Sequence, residues 1–337
     1  MGLGGNLIWT GVLRAIYESD KRSPVVCRKP YLSDLLLGFL WDRSTSLCDD
    51  AIFRLNPYLT FTEARSKSII SRMVDEAFSL LIRPSIFRRT FESWVHTQAE
   101  RRFDRGGERL VHVDMTIHSY AEKQTAKRMH WKQGGHASQI IAKGFGIEHA
   151  NPTCDLVFSK DEEDWLAHFL EAYELNVPYV VIEPGTNRDW FGGLRGWPND
   201  RWEFLVRRFT NDYPSIPIIQ IGMKNTPAIQ WAIDLRGKTN FRQAALLMRQ
   251  GTLFVGTEGG LMHAAKAVGA NALILWGGVT LPEFAGYPDS QRIICHYVAC
   301  APCGNLGWCN MEHICMNGIS VDEVMREIQQ LICVGSC

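Results

Sequence analysis

A chain of 337 residues is long enough for two ordinary domains. It is 46% hydrophobic and 21% charged, as soluble globular proteins are, and its 36 Lys and Arg offset 36 Asp and Glu, so no global charge argues for nucleic acid. No apolar run is long enough to span a bilayer and the N-terminus lacks a secretory pattern; the chain reads as cytoplasmic, with at most peripheral membrane contact.

In chain order, GLGGN at 2–6 followed by LIWTGVLRAI at 7–16 reads as a glycine loop opening a helix. Such a loop ordinarily follows a strand, yet only Met1 precedes it: either the chain begins at a late start site or the first sheet lacks a strand. SPVVC at 23–27 is a short strand. Residues 58–94 carry helical apolar spacing (Ile69, Met73, Phe78, Leu81) broken at Pro84, and RLVHV at 109–113 is a strand ending at Asp114. The arginine-rich stretches at 83–89 and 101–105 read as a solvated face. Residues 162–173 form an amphipathic helix, with Trp165, Phe169 and Tyr173 every four residues, before a linker at 174–178.

The second half alternates more cleanly. Strands fall at 179–182, 216–221, 252–255 and 272–276. Helices fall at 241–249, at 261–268 and after Asn199, a candidate cap for the apolar face of Trp202, Leu205, Val206 and Phe209. A helix at 321–332, capped by Ser320, closes the chain. Continuous apolar strands are covered on both faces, which predicts an α/β fold with a parallel, doubly wound sheet. The first half gives a weaker version, with a helical insertion near 58–100.

Ligands of such sheets bind beyond the carboxyl ends of strands. Four loops belong there: residues 183–186, 222–224, 257–260 and 277–280. The third is GTEGGLMHAA at 256–265. Gly259 and Gly260 admit close backbone approach, and the following helix offers free N–H groups and a positive dipole end that suit a diphosphate. His263 falls on that helix's first turn, placed to donate to a phosphate oxygen. Glu258 only accepts hydrogen bonds, so it suits ribose or sugar hydroxyls.

GTEGGLMHAAKAVGANALILWGG at 256–278 resembles the donor-binding stretch of glycosyltransferase family 9, the ADP-heptose heptosyltransferases. Glu258 stands where the family usually has Asp, Gly259 where it has Ser or Thr, and Gly260 and His263 match. IEPGT at 182–186, RGWP at 195–198 before RWEF, LRGKT at 235–239 and the Cys-rich tail agree in order. The match covers most of 179–332 and is thin before it. The resemblance implies GT-B, two doubly wound Rossmann-like domains facing a cleft: residues 1–174 on the acceptor side, 175–320 binding the nucleotide sugar, and 321–337 a helix returning toward the first domain. It implies an inverting reaction with ADP as leaving group and no catalytic cofactor. Donor contacts would come from Thr186, Arg195, Thr257, Glu258, Gly259, Gly260, Leu261, Met262 and His263, with Arg195 also stabilising charge on the diphosphate.

The family's first loop reads Gly-x-Gly-Asp, whose Asp is the proposed base. Here Gly4, Gly5 and Asn6 fill that loop, with Thr10 matching the helix start, and an amide cannot take the acceptor's proton. Asp114, at the end of its strand, is the candidate substitute, against a simple turn-capping role; His118 and His136 are weaker candidates.

Five of ten cysteines crowd into 295–315. Cys300, Cys303, Cys309 and Cys315 supply the four thiols that zinc or iron takes, with Cys295 or His313 able to replace one. Reduced thiols or a disulfide are the alternative. The resemblance keeps iron in view, since the autotransporter branch of the family carries a similar cysteine finger. The functional expectation is heptose transfer from ADP-heptose to a hydroxyl of a protein or of lipopolysaccharide, by a possible homo-oligomer. A non-hydrolysing nucleotide-sugar epimerase and a catalytically impaired binding subunit are the rivals.

Overall fold

A computed structural model of the protein describes residues 3–27, 50–59, 73, 109–113, 135–175, 178–185, 192–304 and 309–334. The first half contains α1 (Leu3–Asp20), β1 (Pro24–Cys27), α2 (Asp50–Phe53), β2 (Arg109–His112), α3 (Ala137–Lys143) and α4 (Lys160–Ala172). The second contains β3 (Val180–Glu183), α5 (Gly192–Arg195), α6 (Asn199–Asp212), β4 (Ile218–Gln220), β5 (Ile233–Asp234), α7 (Phe241–Gln250), β6 (Leu253–Thr257), α8 (Gly260–Ala267), β7 (Ala272–Trp276), α9 (Pro282–Ala285), β8 (Arg292–Cys295), α10 (Ile314–Asn317) and α11 (Val321–Val334). The expected insertion, apart from residues 58, 59 and 73, lies outside the described residues.

Six parallel strands run in the order β5-β4-β3-β6-β7-β8. The chain starts at β3, winds outward through β4 and β5, then returns to β6 beside β3 and winds the other way. The winding therefore reverses between β3 and β6, where Glu183 lies opposite Gly256. A crevice at such a reversal is where ligands of open α/β sheets sit. In the first half β1 and β2 pair in parallel, Pro24 opposite Arg109.

The apolar strands behave as predicted: every residue of β6 and β7 is buried. One face is covered by α6, through Trp202, Leu205, Val206 and Phe209, and by α11, through Val324, Met325, Ile328 and Ile332. The closing helix, which the resemblance sends toward the first domain, thus packs on the second-half sheet. Ser320 Oγ accepts from the Glu323 N–H at its start, as predicted. Asn199 does not cap α6; Pro198 occupies that position, and Asn199 Nδ2 donates to Glu203.

The other face carries α7 and α8, and against these packs α1. Leu7, Ile8, Trp9, Val12, Leu13 and Ile16 are buried in one core with Ala245, Leu247, Met262 and Ala265. Apolar residues all round a helix demand cover on every side, and α1 has it. The glycine segment is therefore not a loop. The helix starts at Leu3 and takes in Gly4, Gly5 and Asn6, because packing outweighs the roughly 1 kcal/mol that glycine costs inside a helix. Among the described residues no helix is long and apolar enough to cross a membrane.

A buried charge clamp ties these layers. Arg242, 4% exposed, grips Glu162 with two nitrogens, at 2.6 and 2.9 Å, and donates to the Ala51 carbonyl. Glu162 is also the N3 residue of a capping box with Ser159. Burial opposes its charge, but the Arg242 hydrogen bonds win and hold its carboxyl down to about 2.

Candidate functional site

At the carboxyl end of β6 the chain turns through residues 257–260 into α8. Gly259 has extended backbone and makes no side-chain cap, so α8 begins with its N–H groups uncovered by any capping side chain. Such groups and the helix dipole together favour an anion. Thr257 is 1% and Glu258 5% exposed. Glu258 Oε1 meets the Arg195 guanidinium at 3.0 Å and accepts from the Thr280 hydroxyl at 2.7 Å. Glu258 Oε2 and Thr257 Oγ1 are buried with no hydrogen-bond partner. Buried polar atoms left unsatisfied cost about 1–3 kcal/mol each, so two of them in one loop mark a place where a ligand's hydroxyl groups would restore the loss.

Arg195 ends α5, and Thr280 lies in the turn after β7. The structure thus joins Arg195, from the helix that follows β3, to Glu258 of the 257–260 loop and Thr280 of the 277–280 loop, at the start of the helix that carries Leu261, Met262 and His263. The Arg195 contact matches the charge of the buried Glu258 carboxylate. Thr186 and Asp114 lie outside the described residues.

His263, expected to donate to a phosphate oxygen, is 7% exposed, and its Nδ1 lies 2.8 Å from the Tyr287 hydroxyl. Burial, with His136 and Arg195 adding repulsion, lowers its pKa to about 3, so the ring is neutral. Asn6, expected on an open loop, and Thr10, expected at the helix start, are fully buried within α1. Thr10 Oγ1 donates to the Leu7 carbonyl and accepts from the Asp155 N–H. A Cβ on Gly4 would stand 2.5 Å from His263 Cδ2, and one on Gly260 would stand 3.6 Å from the Gly4 nitrogen. Glycines at both positions let the first turns of α1 and α8 meet. Short-range pattern could not announce this contact between segments 250 residues apart.

Glu183, which opens the predicted 183–186 loop, had no role of its own in the sequence reading. It ends β3 at the reversal point, and its Cγ lies 3.9 Å from where a Cβ on Gly222 would stand. Burial pushes its carboxyl up to about 8. An acid closing an otherwise apolar strand was the available signal.

The cysteine expectation is not met. Cys300, Cys303, Cys309 and Cys315 are free thiols, and among the described residues no three His, Cys, Asp or Glu converge as metal ligands. The Cys303 N–H donates to the Gly278 carbonyl, Cys315 sits in α10, and Cys309 Sγ accepts from the Met311 N–H. The thiols are near enough for Cys303, Cys309 and Cys315 to help raise the Cys300 pKa, behind burial as the main cause. As arranged, the four do not fit a tetrahedral metal.

The model of glycosyltransferase family 9 (heptosyltransferase) matches residues 135–311, more than half of the chain. No curated protein matches it. Among solved structures, the family 9 glycosyl transferase from Veillonella parvula DSM 2008 aligns over 99% of this chain and 95% of its own, at 13% identity and a TM-score of 0.63. The ADP-heptose lipopolysaccharide heptosyltransferase II of E. coli aligns over 60% of this chain at 20% identity and a TM-score of 0.47; the alignment spans 63% of the E. coli chain. The iron-containing dodecameric glycosyltransferase TibC from enterotoxigenic E. coli aligns over 60% of this chain and 54% of its own, at 16% identity and a TM-score of 0.45. The α/β architecture is that of the GT-B fold. With that match over more than half of its length, the chain belongs to glycosyltransferase family 9, the heptosyltransferases.

Proposed function

We propose that the chain is an inverting glycosyltransferase that moves heptose from ADP-heptose to a hydroxyl acceptor. The observation that carries this reading is the pair of unsatisfied buried atoms, Thr257 Oγ1 and Glu258 Oε2, beside the uncapped start of α8 at the sheet's reversal point. In this reading the backbone N–H groups at 260–262 take the diphosphate, and Glu258 accepts from a ribose or sugar hydroxyl. Arg195, at the rim, offsets the charge that builds on the departing ADP, an effect preorganised in the folded enzyme. Thr186 is a further donor contact in this reading. No metal takes part in the step.

Residues 1–174 hold the acceptor in this reading, and Asp114 is its base. Two facts support Asp114: β2 ends at His112, two residues earlier, and the family's own base position is held by Asn6, a buried amide. The acceptor is a protein serine or an inner-core lipopolysaccharide hydroxyl. Asn6 also favours a second reading, a subunit that binds the nucleotide sugar without transfer.

Incubation with ADP-heptose and either acceptor tests the assignment. Acceptor-dependent ADP release, lost in Asp114→Asn, is expected. Tight ADP binding without release from any acceptor supports the second reading, and no nucleotide binding defeats both.

A further inference from the structure

Tyr287 sits where three segments meet. Its hydroxyl lies 2.8 Å from His263 Nδ1 on α8 and 2.8 Å from Cys154 Sγ, which belongs to the first half of the chain. The His136 ring packs against it at 5.1 Å and the Lys266 ammonium stands 5.6 Å over its face. On the other side of the His263 ring, Nε2 lies 3.1 Å from where a Cβ on Gly4 would stand, at the meeting of the first turns of α1 and α8.

We propose that Tyr287 is a positioning residue: it fixes His263 in the tautomer that carries its proton on Nε2 and makes it a hydrogen-bond donor toward the start of α8. This rests on the reading of that loop as the diphosphate site. The argument is a count of protons. All three groups are neutral: burial holds the imidazole unprotonated, the thiol up at about 12 and the phenol well above its ordinary range. The phenol has one proton to give. In one arrangement it donates to Nδ1 and receives the thiol's proton as a weak hydrogen bond. In the other, Nδ1–H donates to the phenol, which must then donate to sulfur. Imidazole nitrogen is a good acceptor, whereas thiol sulfur is a weak one. The first arrangement therefore wins, and it leaves the imidazole proton on Nε2. A hydrogen bond at one ring nitrogen sets the state of the other.

Two-bond ¹⁵N–¹H correlation spectra of the ¹⁵N-labelled full chain read the tautomer directly, with His263→Gln assigning the signal. The expected result is protonated Nε2 and bare Nδ1 at pH 7.5 in the wild type and in Cys154→Ala. Tyr287→Phe should give a mixed tautomer and raise the Kd for ADP about fivefold, the order of one ordinary hydrogen bond. Protonated Nδ1 in the wild type, or a switch to protonated Nε2 only after Cys154→Ala, overturns the proposal even if Tyr287→Phe fails to fold. Failure of the wild type to bind ADP overturns the diphosphate reading and with it the purpose assigned to Nε2–H, while the spectra still decide whether Tyr287 sets the tautomer.

Discussion

Arg195→Ala is expected to destabilise the fold more than a residue at the rim of a crevice ordinarily does. Glu258 is 5% exposed, and two donors hold its carboxylate: the Arg195 guanidinium at 3.0 Å and the Thr280 hydroxyl at 2.7 Å. Removing Arg195 leaves a buried carboxylate on one neutral donor. Stripping one partner from a buried pair costs about 3–5 kcal/mol. The Arg195 side chain is 20% exposed, so water enters part of the vacated volume and brings the cost nearer about 2–3 kcal/mol. Glu258→Gln keeps the shape and an acceptor for Thr280 but removes the charge, at a cost of about 1 kcal/mol. The double variant carries no stranded charge, so it should be more stable than the summed single losses predict, with a coupling of about 1.5–2 kcal/mol. Urea denaturation of the four proteins, followed by tryptophan fluorescence, measures it. A coupling below about 0.5 kcal/mol would refute the claim that Arg195 neutralises Glu258 within the crevice.

Three further outcomes follow from the geometry. Glu183 has a folded pKa raised to about 8 from 4.5; the folded state therefore holds its proton longer, and the neutral carboxyl's contribution is whole below 4.5 and lost as pH rises to 8. Glu183→Gln should gain stability relative to wild type over that window, by at most about 1.4 kcal/mol per pH unit, and a pH-independent difference contradicts this. Gly11→Ala places a Cβ 2.1 Å from the Thr153 carbonyl oxygen; the helix-propensity gain of about 1 kcal/mol is outweighed by overpacking of about 1–3 kcal/mol or more, so its urea midpoint should fall. Arg242→Met leaves Glu162 only Arg54, at 2.8 Å, and the Ser159 N–H, and should cost about 1–3 kcal/mol at pH 7. Because the Glu162 pKa is depressed, the clamp's contribution is present above 4.5 and lost as pH falls toward 2, so the penalty should shrink there.

The second-half sheet was legible because β3, β6 and β7 are unbroken apolar runs ended by Gly-containing turns. The two-residue β5 and the edge strand β8 were not, since RIIC at 292–295 begins with an exposed arginine and has no alternation. Residues 257–260 announced themselves through Gly-Gly at a strand-to-helix junction. The same logic misread Gly4 and Gly5, whose local preference for a loop is overruled by packing against α8. Cysteine spacing likewise predicted a convergence that is not found among the described residues. Cys154, His263 and Tyr287 meet only through the fold, and no local pattern reveals a contact across 133 residues.

The central claim is that a nucleotide diphosphate rests on the start of α8. Amide hydrogen–deuterium exchange of the full chain, with and without millimolar ADP, tests it residue by residue. The account predicts ADP-dependent protection concentrated at residues 257–263. Unchanged exchange there, or protection confined to other segments, contradicts it.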